Sequence, residues 1–180
     1  NYYLDIDEDK YKLCNEKCRE CSGPNETDCI SCNNLTGYYS KENSDNNKCY
    51  SINDIEEGYY LDLDSELFKK CSERCISCNK SGDYCILCNN SKGYYFKEND
   101  INKKCYSEEE VTGGYYLDLI NKIFKPCNSR CLSCNYSGVD TESNCTKCLN
   151  DEYHFDPIKS NHCIKVEELP DTNYYVDTND

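Results

Sequence analysis

The strongest constraint on this chain is a string of six cysteines that occurs three times. In the clearest copy, Cys71 to Cys105, the successive cysteines are separated by three, two, six, two and sixteen residues. The copies from Cys14 to Cys49 and from Cys127 to Cys163 differ only in the lengths of the third and fifth gaps. The three strings use all 18 cysteines of the 180-residue chain. This pattern predicts small repeated units held together by disulfides.

The apolar content is too low for a conventional core. Leu, Ile, Val and Phe make up about 17% of the chain, which has no Met or Trp, and chains below about 20% are usually disordered. Disulfides compensate because they restrict the unfolded chain; closing a loop as long as Cys88 to Cys105 is worth roughly 3 kcal/mol. Such bonds persist in oxidising compartments, so we expect an extracellular or cell-surface location.

Charge and hydropathy restrict the partners. The net charge of -14 would repel nucleic acid phosphates and anionic lipid, so neither is an expected partner. There is no signal peptide and no apolar run long enough to span a bilayer, so we expect no direct membrane insertion of this segment. We interpret Asn1 as the edge of a mature or excised segment.

Two hairpins are predicted in each repeat. Apolar and acidic residues alternate in Tyr-Tyr-Leu-Asp segments at 2–5, 59–62 and 115–118, each followed by a polar turn and a return strand. We call this the leading hairpin. A second, closing hairpin is predicted from Gly93 to Tyr106 and at the equivalent positions. Between the two, we expect at most a single turn around Cys75 to Cys78.

The tyrosine pairs that open the leading hairpins define the repeat period. They lie at residues 2 and 3, 59 and 60, 115 and 116, and 174 and 175. We therefore predict repeats at 1–56, 57–112 and 113–171, and the start of a fourth at 172–180. Repeats of this size contact mainly their neighbours. The predicted fold class is small, disulfide-rich and mostly β: an elongated rod of tandem short β-hairpins with three disulfides per repeat.

The cysteine string, its short Gly-containing loop, the following Gly-Tyr-Tyr and the final Cys-Tyr resemble the furin-like cysteine-rich repeat of growth-factor receptors. The match is clearest from Cys71 to Tyr106. The tandem arrangement is also similar to cysteine-repeat surface proteins of protists. The resemblance implies bonds from the first to the third, the second to the fourth and the fifth to the sixth cysteine. These are Cys14–Cys21, Cys18–Cys29, Cys32–Cys49, Cys71–Cys78, Cys75–Cys85, Cys88–Cys105, Cys127–Cys134, Cys131–Cys145 and Cys148–Cys163. In that family the leading hairpin usually has its own cysteine pair, which this chain lacks.

Zinc is the main alternative use of the cysteines. Two C-x2-C pairs, such as Cys18/Cys21 with Cys29/Cys32, could form a tetrahedral site. Their gap of six to ten residues is shorter than the usual spacing of roughly 15 to 20. Zinc would also leave the first and sixth cysteines without partners. We therefore favour disulfides and expect no bound metal.

Glycans are the expected modification. Two N-x-S/T sequons occur in each repeat, at Asn25, Asn34, Asn79, Asn89, Asn135 and Asn144. Calcium is possible but not expected: the alternating acids Asp5/Asp7/Asp9 and Asp62/Asp64/Glu66 supply oxygens without the Gly and Glu of an EF-hand loop. We expect each tyrosine pair to pack on the thin core, on a disulfide or on an adjacent hairpin.

We predict a non-enzyme. His154 and His162 occur only in the third repeat, and no Ser or Cys lies in a recognisable nucleophile context. The leading hypothesis is an extracellular structural protein: a rigid glycosylated stalk, surface coat or filament whose partners are copies of itself or neighbouring repeats of a longer chain. The alternative is a receptor or adhesin ectodomain that binds a protein ligand, with the long loop from Asn135 to Asn144 as its candidate surface.

Overall fold

The fold consists of short strands and 3₁₀ turns. The computed structural model describes residues 1–44, 46–136, 144–150 and 152–169, in two compact units, Asn1–Asn89 and Asn90–Asp180. The strands of the first unit are β1 (Tyr2–Asp5), β2 (Lys10–Leu13), β3 (Cys18–Cys21), β4 (Cys29–Cys32), β5 (Tyr39–Lys41), β6 (Cys49–Tyr50), β7 (Tyr59–Asp62), β8 (Leu67–Lys70), β9 (Cys75–Cys78) and β10 (Cys85–Cys88). Those of the second are β11 (Tyr95–Lys97), β12 (Cys105–Tyr106), β13 (Tyr115–Asp118), β14 (Ile123–Pro126), β15 (Cys131–Cys134), β16 (Cys145–Cys148), β17 (Tyr153–Phe155) and β18 (Cys163–Lys165). The 3₁₀ helices are Asn34–Thr36, Asn90–Lys92, Glu108–Glu110 and Val166–Glu168.

The leading hairpins form as predicted. β1 pairs antiparallel with β2, β7 with β8 and β13 with β14. Their turns end on a non-glycine residue with left-handed backbone, at Asp9, Glu66 and Lys122 (φ 49°, 53° and 55°). Equivalent residues thus make the same turn, and the small, mostly β, disulfide-rich fold of repeated hairpins is confirmed.

The segment between the two predicted hairpins is itself a hairpin, so the expectation of a single turn around Cys75 to Cys78 was wrong. β9 pairs antiparallel with β10 with irregular register, as β3 does with β4 and β15 with β16. We call it the central hairpin. In the second repeat the cysteines at the ends of both strands are buried, while Ile76, Ile86 and Leu87 between them are exposed. Because those cysteines are cross-linked, strands of four residues suffice without a buried aliphatic face.

Disulfides join the hairpins of each repeat. The bonds in the structure are Cys14–Cys21, Cys18–Cys29, Cys32–Cys49, Cys71–Cys78, Cys75–Cys85, Cys127–Cys134, Cys131–Cys145 and Cys148–Cys163. Cys88 and Cys105 are also disulfide-bonded. Since no cysteine is free, no thiolate is available for the alternative zinc site.

Cystines replace aliphatic side chains as the buried material. In the first repeat Cys18, Cys21, Cys29 and Cys49 form one buried cluster. Cys131, Cys134, Cys145 and Cys163 form its counterpart in the third. Tyr3, Tyr38, Tyr116 and Tyr153 pack against these clusters. Tyr2, in contrast, is 65% exposed, so the two tyrosines of a pair have different surroundings.

Candidate assembly site

The first two closing hairpins each join the leading hairpin that follows them in one continuous sheet. The closing hairpins are β5–β6, β11–β12 and β17–β18. β5 pairs in parallel with β8, which gives a four-stranded sheet in the order β6-β5-β8-β7. β11 pairs in parallel with β14, which gives the order β12-β11-β14-β13. We call these two sheets the junction sheets, because each joins consecutive predicted repeats.

The register of the two junction sheets is the same. Ser40 lies opposite Leu67 and Lys41 opposite Phe68 in the first. In the second, Phe96 lies opposite Ile123 and Lys97 opposite Phe124. The amide after each lysine extends the pairing: Glu42 N donates to the Phe68 carbonyl at 2.9 Å, and Glu98 N donates to the Phe124 carbonyl at 2.8 Å.

A buried phenylalanine lies at the centre of each junction sheet. Phe68 is 0% exposed and Phe124 is 3% exposed. The Tyr39 ring meets Phe68 edge to face, with centroids 6.1 Å apart and planes at 87°. Tyr95 meets Phe124 at 6.0 Å and 89°. In these aromatic pairs, large apolar side chains from consecutive repeats pack edge to face.

A lysine lies between two tyrosine rings on the same face of each sheet. Lys41 Nζ is 5.4 Å from the centre of the Tyr50 ring and 5.1 Å from that of Tyr59. Tyr50 belongs to the closing hairpin and Tyr59 to the leading hairpin, so the lysine bridges the two by cation–π contacts. Lys41 also pairs with Glu56 at 2.9 Å, and this hydrogen bond raises the pKa of the lysine.

The second junction sheet repeats the bridge. Lys97 Nζ is 5.0 Å from the centre of the Tyr106 ring and 5.2 Å from that of Tyr115. Alternation along β11 places Lys97 two residues after Tyr95, on the same face of the sheet. Both junctions are therefore built from a Tyr-x-Lys strand, a following amide, and an aromatic residue on the receiving strand.

An aspartate–lysine pair fixes each leading hairpin. Asp5 pairs with Lys12 at 2.7 Å, Asp118 with Lys125 at 2.7 Å, and Asp62 with Lys69. The same aspartates accept hydrogen bonds from turn residues two or three positions later.

The pairs lower the pKa of each of the three carboxyl groups, chiefly through the hydrogen bond from the lysine. For Asp62 the pKa falls from 3.8 to about 2. Two of the carboxylates considered for calcium, Asp5 and Asp62, thus contact ammonium groups. The absence of a calcium site stays a prediction.

In the first and third repeats, the basic residue just before the first strand of the central hairpin contacts the acidic connector after the closing hairpin. Arg130 makes a bidentate pair with Glu168, at 2.6 and 3.0 Å, and its guanidinium carbon lies 5.9 Å from the Tyr153 ring centre. Lys17 is the first-repeat counterpart. It lies 3.5 Å from Asp54 and 5.8 Å from the centre of the equivalent ring, that of Tyr38.

The sequence did not lead us to predict three of these contacts: the bridging lysine, the aspartate–lysine pair, and the contact of Arg130 or Lys17 with the acidic connector. The signal that could have found them is repetition, because Lys12, Lys69 and Lys125 recur at the same period as the cysteines. The cysteine strings predict the disulfides, whereas these three contacts depend on the residues between the cysteines.

The six sequon asparagines lie on the surface of the described structure. Asn25, Asn79 and Asn135 are exposed, and Asn34, Asn89 and Asn144 are half-buried. Asn34 lies beside the first junction sheet, where its side-chain amide donates to Glu66 at 2.6 Å. A glycan there would emerge next to the join between two repeats.

The remaining candidates do not form a site together. His162 is buried and His154 is half-buried in the closing hairpin of the third repeat. Most of the loop between Asn135 and Asn144 lies outside the described residues, so that candidate binding surface stays a prediction. None of the helices in the described parts of the chain has the length and apolar character needed to cross a membrane.

The comparisons agree with this architecture. No family model matches the chain. It is 28% identical over 178 residues to Cysteine repeat modular protein 2 of Tetrahymena thermophila, covering 84% of the chain and 8% of that protein. It is 35% identical over 77 residues to the human Extracellular matrix organizing protein FRAS1 (43% of the chain, 2% of that protein). It is 27% identical over 165 residues to Cysteine-rich with EGF-like domain protein 2-A of Xenopus laevis (84% and 43%). The chain thus spans less than half the length of each of these relatives.

In its fold, its cystine clusters and these similarities, the chain resembles tandem cysteine-rich repeat proteins. More particularly, the chain is an array of disulfide-rich hairpin units of the kind predicted from its cysteine strings, and that resemblance is confirmed. The extracellular or cell-surface location is confirmed as well.

Proposed function

We propose that this chain is a structural segment of an extracellular repeat array, which forms a rigid, glycosylated stalk, surface coat or filament. Its task is mechanical: to hold successive disulfide-bonded repeats in a fixed relation. We assign it no catalytic role, because its thiols are all consumed in disulfides and the relatives named above are cysteine-rich repeat proteins.

The observation that carries the proposal is that the same junction is built twice. The two junction sheets share register, a buried phenylalanine and a bridging lysine. A ligand-binding site is usually unique in a chain, whereas a structural contact recurs wherever units are joined. Both junctions of this chain therefore join one repeat to the next by the same set of contacts.

Small-angle X-ray scattering tests the proposed rod. A compact 180-residue globule would have a radius of gyration of about 16 Å. We expect a value well above this for the rod. A radius near 16 Å would show that the repeats do not extend, and the stalk and filament hypotheses would fail together.

Variants at the two junctions test the same proposal, with a variant away from the junctions as the matched control. Replacing Phe68 and Phe124 together by Ala should loosen both junctions and change the scattering curve, while every disulfide stays intact. Tyr11→Ala, at the equivalent position of the first leading hairpin, should leave the curve unchanged because Tyr11 is 75% exposed. Identical scattering curves for the unmodified chain, the double variant and Tyr11→Ala would show that the two buried phenylalanines do not hold the repeats in position.

Glycosylation is a separate part of the proposal. The exposed sequons Asn25, Asn79 and Asn135 are open to modification of their side-chain amides. Intact-mass measurement of native material before and after enzymatic deglycosylation should show a loss of several glycan masses. An unchanged mass would rule out the N-linked glycans and leave an unmodified structural array.

A binding module is the second candidate, favoured by one departure from the repeat pattern. The central hairpin of the second repeat exposes Ile76, Ile86 and Leu87 at 36%, 57% and 45%. The third repeat has Thr146 and Lys147 on its equivalent second strand. The first repeat exposes one apolar side chain on these strands, Ile30 at 69%, so the cluster of three belongs to the second repeat. Such a cluster is typical of a protein-binding surface. If this is the functional surface, an Ile86→Asp variant should lose attachment to the cells or matrix that bind the native protein, while Thr146→Asp should not.

A further inference from the structure

The second strand of the first leading hairpin has an edge to which no strand is paired in the described part of the chain. β2 pairs only with β1, in a two-stranded sheet. Its counterparts β8 and β14 each have a leading-hairpin partner on one side and a closing-hairpin strand on the other. The outer edge of β2 therefore presents the same backbone groups that β8 and β14 use to receive a closing hairpin.

The side chain at the centre of this edge is exposed where its counterparts are buried. Tyr11 lies opposite Leu4 in the register, as Phe68 lies opposite Leu61 and Phe124 opposite Leu117. Tyr11 is 75% exposed, whereas Phe68 and Phe124 are 0% and 3% exposed.

The rest of the same face is apolar and uncovered too. Tyr2, Leu4 and Leu13 are 65%, 48% and 65% exposed. Strand alternation places them beside Tyr11. We call these four side chains the receiving patch. A contiguous aromatic and aliphatic patch next to an unpaired strand is typical of an interaction surface.

We propose that β2 and the receiving patch bind the closing hairpin of a further cysteine-rich repeat, by parallel strand pairing in the register of the two junction sheets. The incoming strand must read aromatic-x-Lys, so that its aromatic ring meets Tyr11 and its lysine reaches the Tyr2 ring. The residue after the lysine must carry a backbone N–H, to donate to the Tyr11 carbonyl as Glu42 and Glu98 do to Phe68 and Phe124. This inference rests on the proposed structural function and names the partner that continues the array.

The chain's own third closing hairpin does not meet this specification. By its register, with Phe155 opposite Cys163 as Phe96 is opposite Cys105, the residue at the lysine position is Asp156. The next residue is Pro157, which has no N–H to donate. The surface thus discriminates between closing hairpins, and simple self-association through β17 is not its use.

A peptide titration tests the binding directly. The probe is a synthetic peptide of residues 32–51, oxidised at Cys32 and Cys49, which contains the first closing hairpin with Lys41 and Glu42. Added to the full chain, it should protect the β2 amides from hydrogen exchange. Tyr11→Asp should weaken binding by about tenfold or more, as loss of a central aromatic contact does. Leu35→Asp, at a side chain already 95% exposed, should not. A peptide with Lys41→Asp and Glu42→Pro should not bind.

A full-chain variant provides a second test, which does not depend on the isolated peptide being folded. Asp156→Lys with Pro157→Glu converts the third closing hairpin to the specification above, so this variant should associate head to tail in sedimentation experiments while the unmodified chain does not. Adding Tyr11→Asp should abolish the association. The inference is overturned if both the variant chain and the peptide fail to bind, or if binding survives Tyr11→Asp. Scattering from the unmodified chain reports on the proposed rod independently of either result.

Discussion

Replacing Phe68 by Ala should open the first junction sheet without unfolding either repeat. Phe68 is fully buried and packs edge to face on Tyr39. Truncating a buried Phe to Ala typically costs about 3 to 5 kcal/mol, of which the aromatic contact accounts for about 0.5 to 1.5 kcal/mol. Most of this loss falls on the pairing of β5 with β8, because the nearby disulfides still hold each repeat together.

Hydrogen exchange at one amide reads out this loss. Glu42 N donates to the Phe68 carbonyl across the junction, so it exchanges when β5 separates from β8. A loss of about 3 kcal/mol corresponds to an exchange rate higher by at least about a hundredfold. The equivalent amide, Glu98 N, reports on the second junction sheet and should keep its rate. Phe124→Ala should give the reverse pattern.

Tyr11→Ala is the matched control. It removes an aromatic ring from the same position of the first leading hairpin, where the ring is already 75% exposed, so neither reporter amide should change. Two results would refute the reasoning. One is equal acceleration of both amides by Phe68→Ala, which would mean that the repeats open together. The other is no acceleration at Glu42, which would mean that the buried ring does not hold the junction.

Three further predictions concern the other contacts. The pKa of Asp62 is depressed to about 2, so its pairing stabilises the β7–β8 hairpin fully above about pH 4. That contribution should be lost as the pH falls towards 2; a carboxyl titration by NMR with a midpoint near 4 would contradict the pairing with Lys69. Lys97→Met should destabilise the second junction by about 1 kcal/mol through lost cation–π contacts, whereas Met at the exposed Lys159 should be neutral in the same exchange experiment. Excess thiol under native conditions should abolish the β-sheet circular dichroism, because each closed loop, such as the 17-residue separation of Cys32 and Cys49, is worth about 3 kcal/mol; a spectrum that survives full reduction would show that the apolar contacts suffice.

The hairpins were predictable because their signals are local. Alternating tyrosine, leucine and aspartate residues around a polar turn specify β7 and β8 without reference to the rest of the chain. The central hairpin was missed for the opposite reason. Its strands lack an apolar alternation, and Cys75 and Cys85 are fixed by cross-links that no local periodicity reveals.

The junction sheets could not be read from one repeat at a time. Ser40 and Leu67 are paired in parallel across 27 positions, and parallel pairing leaves no turn signal between its strands. What the sequence does contain is the recurrence of Phe68 and Phe124, and of Lys41 and Lys97, at the cysteine period. That recurrence identifies positions with equivalent roles. It does not show that the lysine and the phenylalanine of one junction come from two consecutive repeats.

Covalent and non-covalent contacts therefore have separate tasks in this chain. Each of the eight disulfides named above joins cysteines of the same predicted repeat, with sequence separations from 7 to 17. Disulfides of this kind stabilise a repeat but cannot fix its orientation to the next one. The contacts described above that cross from one repeat to the next are non-covalent: strand pairing, a buried ring and a bridging lysine at each junction, with the Asn34–Glu66 hydrogen bond at the first. A single substitution at Phe68 should thus open the first junction sheet while both adjoining repeats stay folded. A disulfide between the two repeats would prevent this separation. If the array bears load, its weakest points are these junctions rather than the cystine clusters.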